Sequence, residues 1–385
     1  MTGNTLGWVI VAFVLYLLMM IAIGAFYAKG NNNSEDYFLG GRKLNGFVAA
    51  LSAQASDMSG WLLMGLPGAI YLTGVGGDGW IAIGLFIGTT LNWLFIATKL
   101  RRYTIRANNS VTLPTYFENR FHDEKKVLMT VSSITIVVFF LVYCASALSA
   151  GGQLFESVFG IDYHVALTIG ALVVLVYTFL GGFTAVCVTD FIQGMLMLVG
   201  ILAVPLFAYH FMTSGDATLS AGLEASGADS ANFLNLMKNG DGSNNIISVI
   251  SGLGWGLGYF GMPHILVRFM AVRDEKEMTK SKATAISWVA LSLGFAVFIG
   301  ILGRAYLPEL VNGNNEKVFI EMIKKVFTVE MRAPFIAGLF LCGILAAIMS
   351  TADSQLLVSA SSVAEDIFKG LIKKDADDKT VMKVS

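Results

Sequence analysis

Charge is scarce in this sequence: only 14% of its 385 residues are Asp, Glu, Lys or Arg, whereas 55% are apolar. Soluble domains carry about a quarter charged residues, so water is a poor solvent for most of this chain. The 26 basic and 27 acidic residues leave a formal charge of −1, which lacks the basic excess of a nucleic-acid-binding protein. The composition therefore indicates an integral membrane protein.

Residues that build metal or catalytic sites are also few. The three cysteines lie in apolar runs and the four histidines are scattered, so neither a disulfide framework nor a cysteine–histidine metal site is indicated. Residues 256–261 match G-x-G-x-x-G, but no strand precedes them, so a dinucleotide site is not indicated either. We expect no enzyme active site and no organic cofactor.

Long apolar runs dominate the chain instead. A helix needs about 20 mostly apolar residues to cross a bilayer, and nine runs of this kind are present. The first has no basic region before it and is too long for a signal peptide, so it is predicted to be retained. The predicted spans are residues 8–28, 44–72, 79–98, 127–150, 164–182, 188–211, 245–270, 283–303 and 333–358.

Basic residues predict the orientation, because they accumulate in cytoplasmic loops. An N-terminus outside and a C-terminus inside leaves six of the 26 basic residues on the outer face. We therefore predict this orientation and place Arg268 among the cytoplasmic charges. The six outer residues are Lys238, Arg304, Lys317, Lys324, Lys325 and Arg332.

Two spans carry unusual residues at mid-membrane depth. Small and polar residues fill 52–60 in the second span, and five glycines and a proline interrupt the seventh between Gly252 and Pro263. Glycine and proline weaken helices, and unwound backbone is tolerated there only where protein or water satisfies it. Two interrupted helices five spans apart, and so antiparallel, are typical of inverted-repeat transporters.

The predicted fold is therefore an all-α integral membrane protein with inverted repeats and discontinuous helices, forming one transmembrane domain over residues 1–385. The first repeat would span about 44–211, and an incomplete second repeat about 245–358. Carbonyls exposed at a broken helix end suit a cation, and exposed N–H groups suit a carboxylate.

Single polar residues within the spans are candidate site residues. Asp57 is the one charge between Lys43 and Asp78, and charges at that depth usually mark ion or substrate paths; a structural helix cap is the alternative. Ser350 and Thr351 offer hydroxyl ligands, although such side chains mostly bond to their own helix.

Other polar and aromatic residues receive less specific predictions. Asp353 is predicted to lie in a solvated inner vestibule, and Asp190 at the membrane interface near the inner end of the sixth span. Tyr143, Trp255 and Tyr259 lie near the broken segments. They either line a pocket or contribute to helix packing.

Sequence matches in the same order along essentially the whole chain now point to a family. Residues 51–69 (LSAQASDMSGWLLMGLPGA) resemble the second helix of the sodium–solute symporter family, and residues 344–351 (ILAAIMST) resemble its ninth. Further matches are residues 36–42 (DYFLGGR), 140–146 (FLVYCAS) and 255–270 (WGLGYFGMPHILVRFM). The resemblance is to the proline-carrying branch of that family.

The resemblance implies the leucine-transporter fold in a bacterial cytoplasmic membrane and secondary active transport that couples Na⁺ entry to proline uptake by alternating access. It implies a Na⁺ site of carbonyls and hydroxyls, with Asp57 required for coupling. The implied Na⁺-site residues are Ala55, Met58, Ala347, Ser350 and Thr351. The implied proline contacts are Ser59, Gly60, Trp61, Tyr143, Trp255, Tyr259 and Pro263. Membrane lipid surrounds such a protein, and no obligate protein partner is implied.

Two features depart from the family pattern. Asp353 stands where a neutral residue is expected, and the chain stops after nine predicted spans, whereas the family has further helices. We therefore expect the second repeat to lack its last helices and residues 1–385 alone not to transport. The alternative functions are a sodium symporter for another small amino acid or carboxylate, and the transporter-like membrane part of a sensor kinase. A membrane enzyme ranks third, since no catalytic set supports it.

Overall fold

The computed structural model describes residues 3–28, 33–215 and 217–385. Within these ranges the chain forms helices and two isolated bridges, without a β-strand, so the predicted all-α class is confirmed. The α-helices are α1 Gly3–Tyr27, α2 Ser34–Leu39, α3 Gly46–Gly60, α4 Leu66–Thr73, α5 Val75–Leu91, α6 Ala97–Arg106, α7 Leu113–Phe121, α8 Val127–Phe159, α9 Tyr163–Ser214, α10 Leu219–Ala225, α11 Ser230–Phe233, α12 Ile246–Trp255, α13 Pro263–Ala271, α14 Glu275–Tyr306, α15 Val318–Ile323, α16 Pro334–Ser361 and α17 Asp378–Val384. The 3₁₀ segments are Gly40–Arg42, Gly256–Gly261, Pro308–Asn312 and Asn315–Lys317, and the π-type segments are Trp61–Gly65, Asn92–Ile96, Lys324–Glu330 and Ser362–Ile372.

Six helices in the described ranges are long and apolar enough to cross a membrane, and the bent pair formed by residues 246–261 and α13 makes a seventh candidate. The 52-residue α9 is divided by the non-helical Gly182 (φ 59°, ψ −163°) into two helical stretches. These stretches correspond to the fifth and the sixth predicted spans. A helix rises about 1.5 Å per residue, so α9 is far longer than the hydrocarbon core of roughly 30 Å. Helix is present at all nine predicted spans, and nine separate crossings remain a prediction.

The second predicted span is broken where its sequence is polar. Asn45 caps α3, since its side-chain oxygen accepts a hydrogen bond from the backbone N–H of Val48. At Ser59 the backbone turns to φ 44° and ψ −174°, a conformation that costs a non-glycine residue about 1–3 kcal/mol. The Ser59 hydroxyl accepts a hydrogen bond from the N–H of Trp61 at 3.1 Å. It thereby caps the helix that restarts after the break.

The seventh predicted span is broken as well. The 3₁₀ segment Gly256–Gly261 separates α12 from α13, and the chain bends by 47° before Pro263. Glycine lets α12 approach α5 closely: a Cβ added at Gly84 would lie 2.2 Å from the Gly252 carbonyl oxygen, and one at Gly256 would lie 2.2 Å from that of Gly84. Side chains at these positions would push the broken helix away from α5.

The core lies around α16, which packs against α1, α3, α8 and α9. The side chains from Phe340 to Gln355 are all buried. The outer helices instead expose large apolar side chains, for example Phe139 at 67% and Phe179 at 72%. Such surface suits hydrocarbon and not water, as expected of a membrane domain.

The structure corrects the solvent exposure expected of three charged residues. Asp190, Arg268 and Asp353 are each fully buried, so Asp353 does not lie in a solvated vestibule, and neither Asp190 nor Arg268 is in contact with solvent. Arg268 Nη2 lies 3.0 Å from Asp190 Oδ2, and the Tyr177 hydroxyl donates to Asp353 Oδ2 at 2.6 Å. Burial of these charges is tolerated because each has a charged or hydroxyl partner.

Candidate functional site

A cavity of about 540 Å³ lies between the two broken helices and α8. This volume is within the usual range of small-molecule sites. The cavity brings together residues from all three elements, and most of its wall is apolar or aromatic. Eight residues predicted for the site line it: Asp57, Met58, Ser59, Gly60, Trp61, Tyr143, Trp255 and Tyr259.

Two tryptophans form one wall of the cavity. Trp61, just after the break in α3, stacks on Trp255 at the end of α12, with ring centroids 5.8 Å apart and planes 20° apart. Tyr259 is buried in the same wall, and its carbonyl accepts a hydrogen bond from Asn92 Nδ2 at 2.8 Å. This wall offers flat apolar faces, and it joins the two interrupted helices.

Hydroxyl and carbonyl oxygens cluster where α3 meets α16. The Ser350 hydroxyl lies 2.9 Å from the Ala55 carbonyl oxygen and 3.3 Å from that of Ala347. The Thr351 hydroxyl donates to the same Ala347 carbonyl at 3.0 Å. Hydrogen bonds therefore link four of the five predicted Na⁺ ligands in one series. The fifth, Met58, lines the neighbouring cavity, and its carbonyl accepts the N–H of Trp61.

This oxygen cluster suits an alkali cation better than a transition metal. Carbonyl oxygens have two lone pairs each and can replace part of the hydration shell of an ion. Among the residues that the structure describes, no group of three or more His, Cys, Asp and Glu side chains could hold a metal ion.

Asp57 lies two residues after Ala55 of this cluster. It is 8% exposed and lines the cavity, and its Oδ2 is buried without a hydrogen-bond partner in the described part of the chain. Its carboxyl group interacts with the Tyr259 hydroxyl. A buried carboxylate with an unsatisfied oxygen is unfavourable, so a cation nearby would stabilise it.

Pro263 is the predicted proline contact that the structure does not bring to the cavity. It begins α13 and lines a separate crevice of about 20 Å³ beside Phe38 and Leu357. Its position makes it a determinant of the bend and not of the cavity wall.

Sequence reasoning missed a polar stripe on α8. Ser146, Ser149 and Gln153 line the cavity together with Glu316 from the 3₁₀ segment Asn315–Lys317. Residues three and four apart share one helix face. The i, i+3, i+7 spacing of these polar side chains in an apolar helix was therefore a usable signal.

The sequence of the chain is similar to those of known proteins. Residues 37–385 match the profile of the family described as "Sodium:solute symporter family". The chain is 44% identical to a sodium/proline symporter of Salmonella typhimurium, covering 95% of this chain and 72% of the relative. It is 45% identical to a sodium/proline symporter of Haemophilus influenzae (97% and 73%), and 44% identical to a high-affinity proline transporter of Bacillus subtilis (94% and 74%).

A solved structure shares the fold. It is the substrate-bound, outward-open state of a Na⁺-coupled sialic acid symporter, with a TM-score of 0.82 over 98% of this chain and 78% of that chain, at 22% identity. At this identity the likeness concerns the fold alone. The extent of the profile match and the identity to the curated relatives together show that the chain belongs to the sodium:solute symporter family.

Proposed function

We propose that this protein is a secondary active transporter that uses the Na⁺ gradient to carry L-proline into the cell. The observation that carries the proposal is the position of Ser350, whose hydroxyl contacts Ala55 of the broken α3 and Ala347 of α16. These oxygens adjoin an aromatic cavity at the break of the same helix. The relatives named as sodium/proline symporters support the choice of ion and substrate.

The proposed Na⁺ site consists of the carbonyls of Ala55, Met58 and Ala347 with the hydroxyls of Ser350 and Thr351. Five oxygens with little net charge suit a hard monovalent cation, which then needs no direct carboxylate ligand. An ion there would hold α3 against α16. The negative charge of Asp57, close by in the low-dielectric interior, would strengthen the attraction for the cation.

The proposed proline site is the cavity itself. The stacked rings of Trp61 and Trp255 would cover the apolar pyrrolidine, and the hydroxyls of Tyr143 and Tyr259 would contact its polar groups. The helix that restarts at Gly60 presents its positive N-terminal end, which favours the substrate carboxylate. A direct contact from Pro263 is not part of this proposal.

Coupling would follow from the shared broken helix. We infer inverted repeats from about 44 to 211 and from about 245 onward within one transmembrane domain, with the N-terminus outside a bacterial cytoplasmic membrane. Na⁺ at the α3–α16 contact would favour the arrangement in which the cavity walls are assembled, so each ligand would raise the affinity for the other. Alternating access would then move one repeat against the other around the site.

Loss of a proposed hydroxyl ligand should weaken the binding of sodium more than the binding of proline. We expect Ser350→Ala and Thr351→Ala each to raise the Na⁺ concentration for half-maximal uptake by roughly tenfold, because each removes one of the oxygens that would replace the hydration shell of the ion. Proline affinity at saturating Na⁺ should change less. Sodium titrations of uptake in the full-length protein measure both quantities.

The matched control is Ser292→Ala. Ser292 is also buried in a long helix, but its hydroxyl bonds to its own helix at Val289. Sodium dependence like that of the parent protein in both site variants would show that their hydroxyls only serve helix packing.

Loss of an aromatic side chain from the cavity wall should weaken the binding of proline instead. We expect Trp255→Ala and Tyr143→Ala to raise the half-saturating proline concentration at saturating Na⁺, since removing an aromatic side chain that covers a bound ligand costs about 1–3 kcal/mol. Trp8→Ala is the control, because Trp8 is half-exposed, as Trp255 is, and makes an edge-to-face contact with Phe335 outside the cavity. An equal effect of all three substitutions on proline dependence would count against the assignment of the cavity.

A further inference from the structure

A second, larger depression lies on the outside of the helix bundle. It has a volume of about 790 Å³, lies between α3, α9 and α14, and shares no lining residue with the proposed substrate cavity. We call it the lipid groove. Its apolar walls include Phe47 and Leu51 from α3, Met195 from α9 and Leu291 from α14.

The groove suits hydrocarbon. Phe47 is 54% exposed, and Met195 and Leu291 are each 44% exposed. These apolar side chains are therefore open to the surroundings of the helix bundle. Trp288 lies at its base, buried, and its indole N–H donates to the Gly194 carbonyl at 3.2 Å. Because this polar atom is satisfied inside the protein, the ring presents only apolar surface to an occupant.

Basic side chains stand at one end of the groove. Lys276 and Lys280 precede the groove residues Thr284 and Ser287 at i, i+4, i+8 and i+11 spacing, which places all four on one face of α14. A Cβ added at Gly46 would lie 2.9 Å from the Cβ of Lys280. Lys280 therefore lies beside the start of α3.

The charge balance at this end favours an anion. Lys276 and Lys280 are exposed, as is Lys43, which precedes the groove residue Asn45 by two positions. Lys280 pairs with Glu277 at 2.8 Å, whereas Lys43 and Lys276 form no ion pair among the described residues. The end thus retains uncompensated positive charge.

We propose that the groove binds an anionic phospholipid, with an acyl chain along Phe47, Met195 and Trp288 and the phosphate at Lys276 and Lys280. This inference rests on the proposed orientation, which puts these lysines at the cytoplasmic leaflet, where anionic headgroups attract basic side chains. The bound lipid would contact the start of α3, because Phe47 lines the groove and Lys280 lies beside Gly46.

Quenching of Trp288 fluorescence by brominated lipid tests the proposal. The full-length protein is placed in nanodiscs of phosphatidylcholine with brominated phosphatidylglycerol, or of phosphatidylglycerol with brominated phosphatidylcholine. The signal of Trp288 is the difference between the parent protein and Trp288→Phe, because the chain has six tryptophans. We expect strong quenching by brominated phosphatidylglycerol and much weaker quenching by brominated phosphatidylcholine.

The variants separate specific binding from general lipid contact. Lys276→Gln and Lys280→Gln should each weaken the preference for phosphatidylglycerol by roughly fivefold, whereas Lys282→Gln, on the other face of α14 with its amine donating to Leu94, should not. Ala283→Phe fills the groove without a change of charge and should remove the quenching.

Two results would overturn the proposal. Equal quenching by both lipids would indicate ordinary surrounding lipid. Absence of Trp288 quenching would indicate that protein, such as a second copy, covers the groove. Neither measurement needs Na⁺ or proline, so failure here leaves the proposed transport function intact.

Discussion

Replacing Asp57 by Asn is expected to abolish sodium-driven proline uptake, with the largest effect of any isosteric change in the cavity. The carboxylate has a buried oxygen without a hydrogen-bond partner in the described residues, and it is the one charge between Lys43 and Asp78. The amide keeps the shape of the side chain but removes the negative charge that would attract the ion through a low-dielectric interior. Uptake under an imposed Na⁺ gradient measures the loss.

Asp241→Asn is the matched control. Asp241 belongs to the connection between α11 and α12, where its carboxylate accepts hydrogen bonds from Ser243, and uptake should be unchanged. Membrane levels of both variants should equal those of the parent protein. If Asp57→Asn retained the sodium dependence of the parent, the carboxylate would be a structural cap and the electrostatic part of the proposed site would be wrong.

Removing the charge of Arg268 is expected to destabilise the protein severely. The guanidinium bonds to Asp190, Ser52, Ser354 and the His264 carbonyl, all of them buried, and so ties α3, α9, α13 and α16 together. Breaking a buried pair from one side costs about 3–5 kcal/mol, because the remaining charge is left uncompensated. Thermal unfolding in detergent of Arg268→Leu should show a large fall in midpoint.

Two comparisons define the cause of that fall. The double variant Arg268→Leu, Asp190→Leu removes both charges and should recover much of the lost stability. Arg102→Leu breaks the Arg102–Glu275 pair, whose side chains are 53% and 54% exposed, and should cost at most about 1 kcal/mol. If the double variant were less stable than Arg268→Leu, the pair would not be the main source of the effect.

The sequence was sufficient for features that depend on local composition. Apolar runs gave the positions of the long helices, and the polar stretch 52–60 gave the break that the structure places at Ser59. The glycine-rich run before Pro263 likewise gave the break between α12 and α13. In each case, residues that disfavour a helix lie within a membrane span, where a continuous helix would otherwise be required.

Features that depend on partners from distant segments were predicted poorly. Asp190 and Arg268 are 78 positions apart, and Tyr177 is 176 positions from its partner Asp353. Each charge, taken alone, was assigned to water because an unpaired buried charge is unfavourable. Which residue would pair with it depends on how α9, α13 and α16 pack, and periodicity along one helix carries no information about that.

Gly182 illustrates the same limit on a smaller scale. The sequence predicted two spans, 164–182 and 188–211, and the structure has two helical stretches that meet at the non-helical Gly182 (φ 59°), without the connection expected over 183–187. A residue with a side chain rarely adopts that backbone conformation. The glycine is visible in the sequence, but its neighbour Gly181 is equally permissive, and packing decides between them.

The most direct test of the proposed function is the uptake of labelled L-proline into proteoliposomes that contain the full-length protein. An inward Na⁺ gradient should drive accumulation above the external concentration, and an equal K⁺ gradient should not. Unlabelled proline should compete, and collapse of the Na⁺ gradient should release the accumulated label. Uptake that is equal in Na⁺ and K⁺, or label that unlabelled proline does not displace, would contradict sodium-coupled proline transport by this protein.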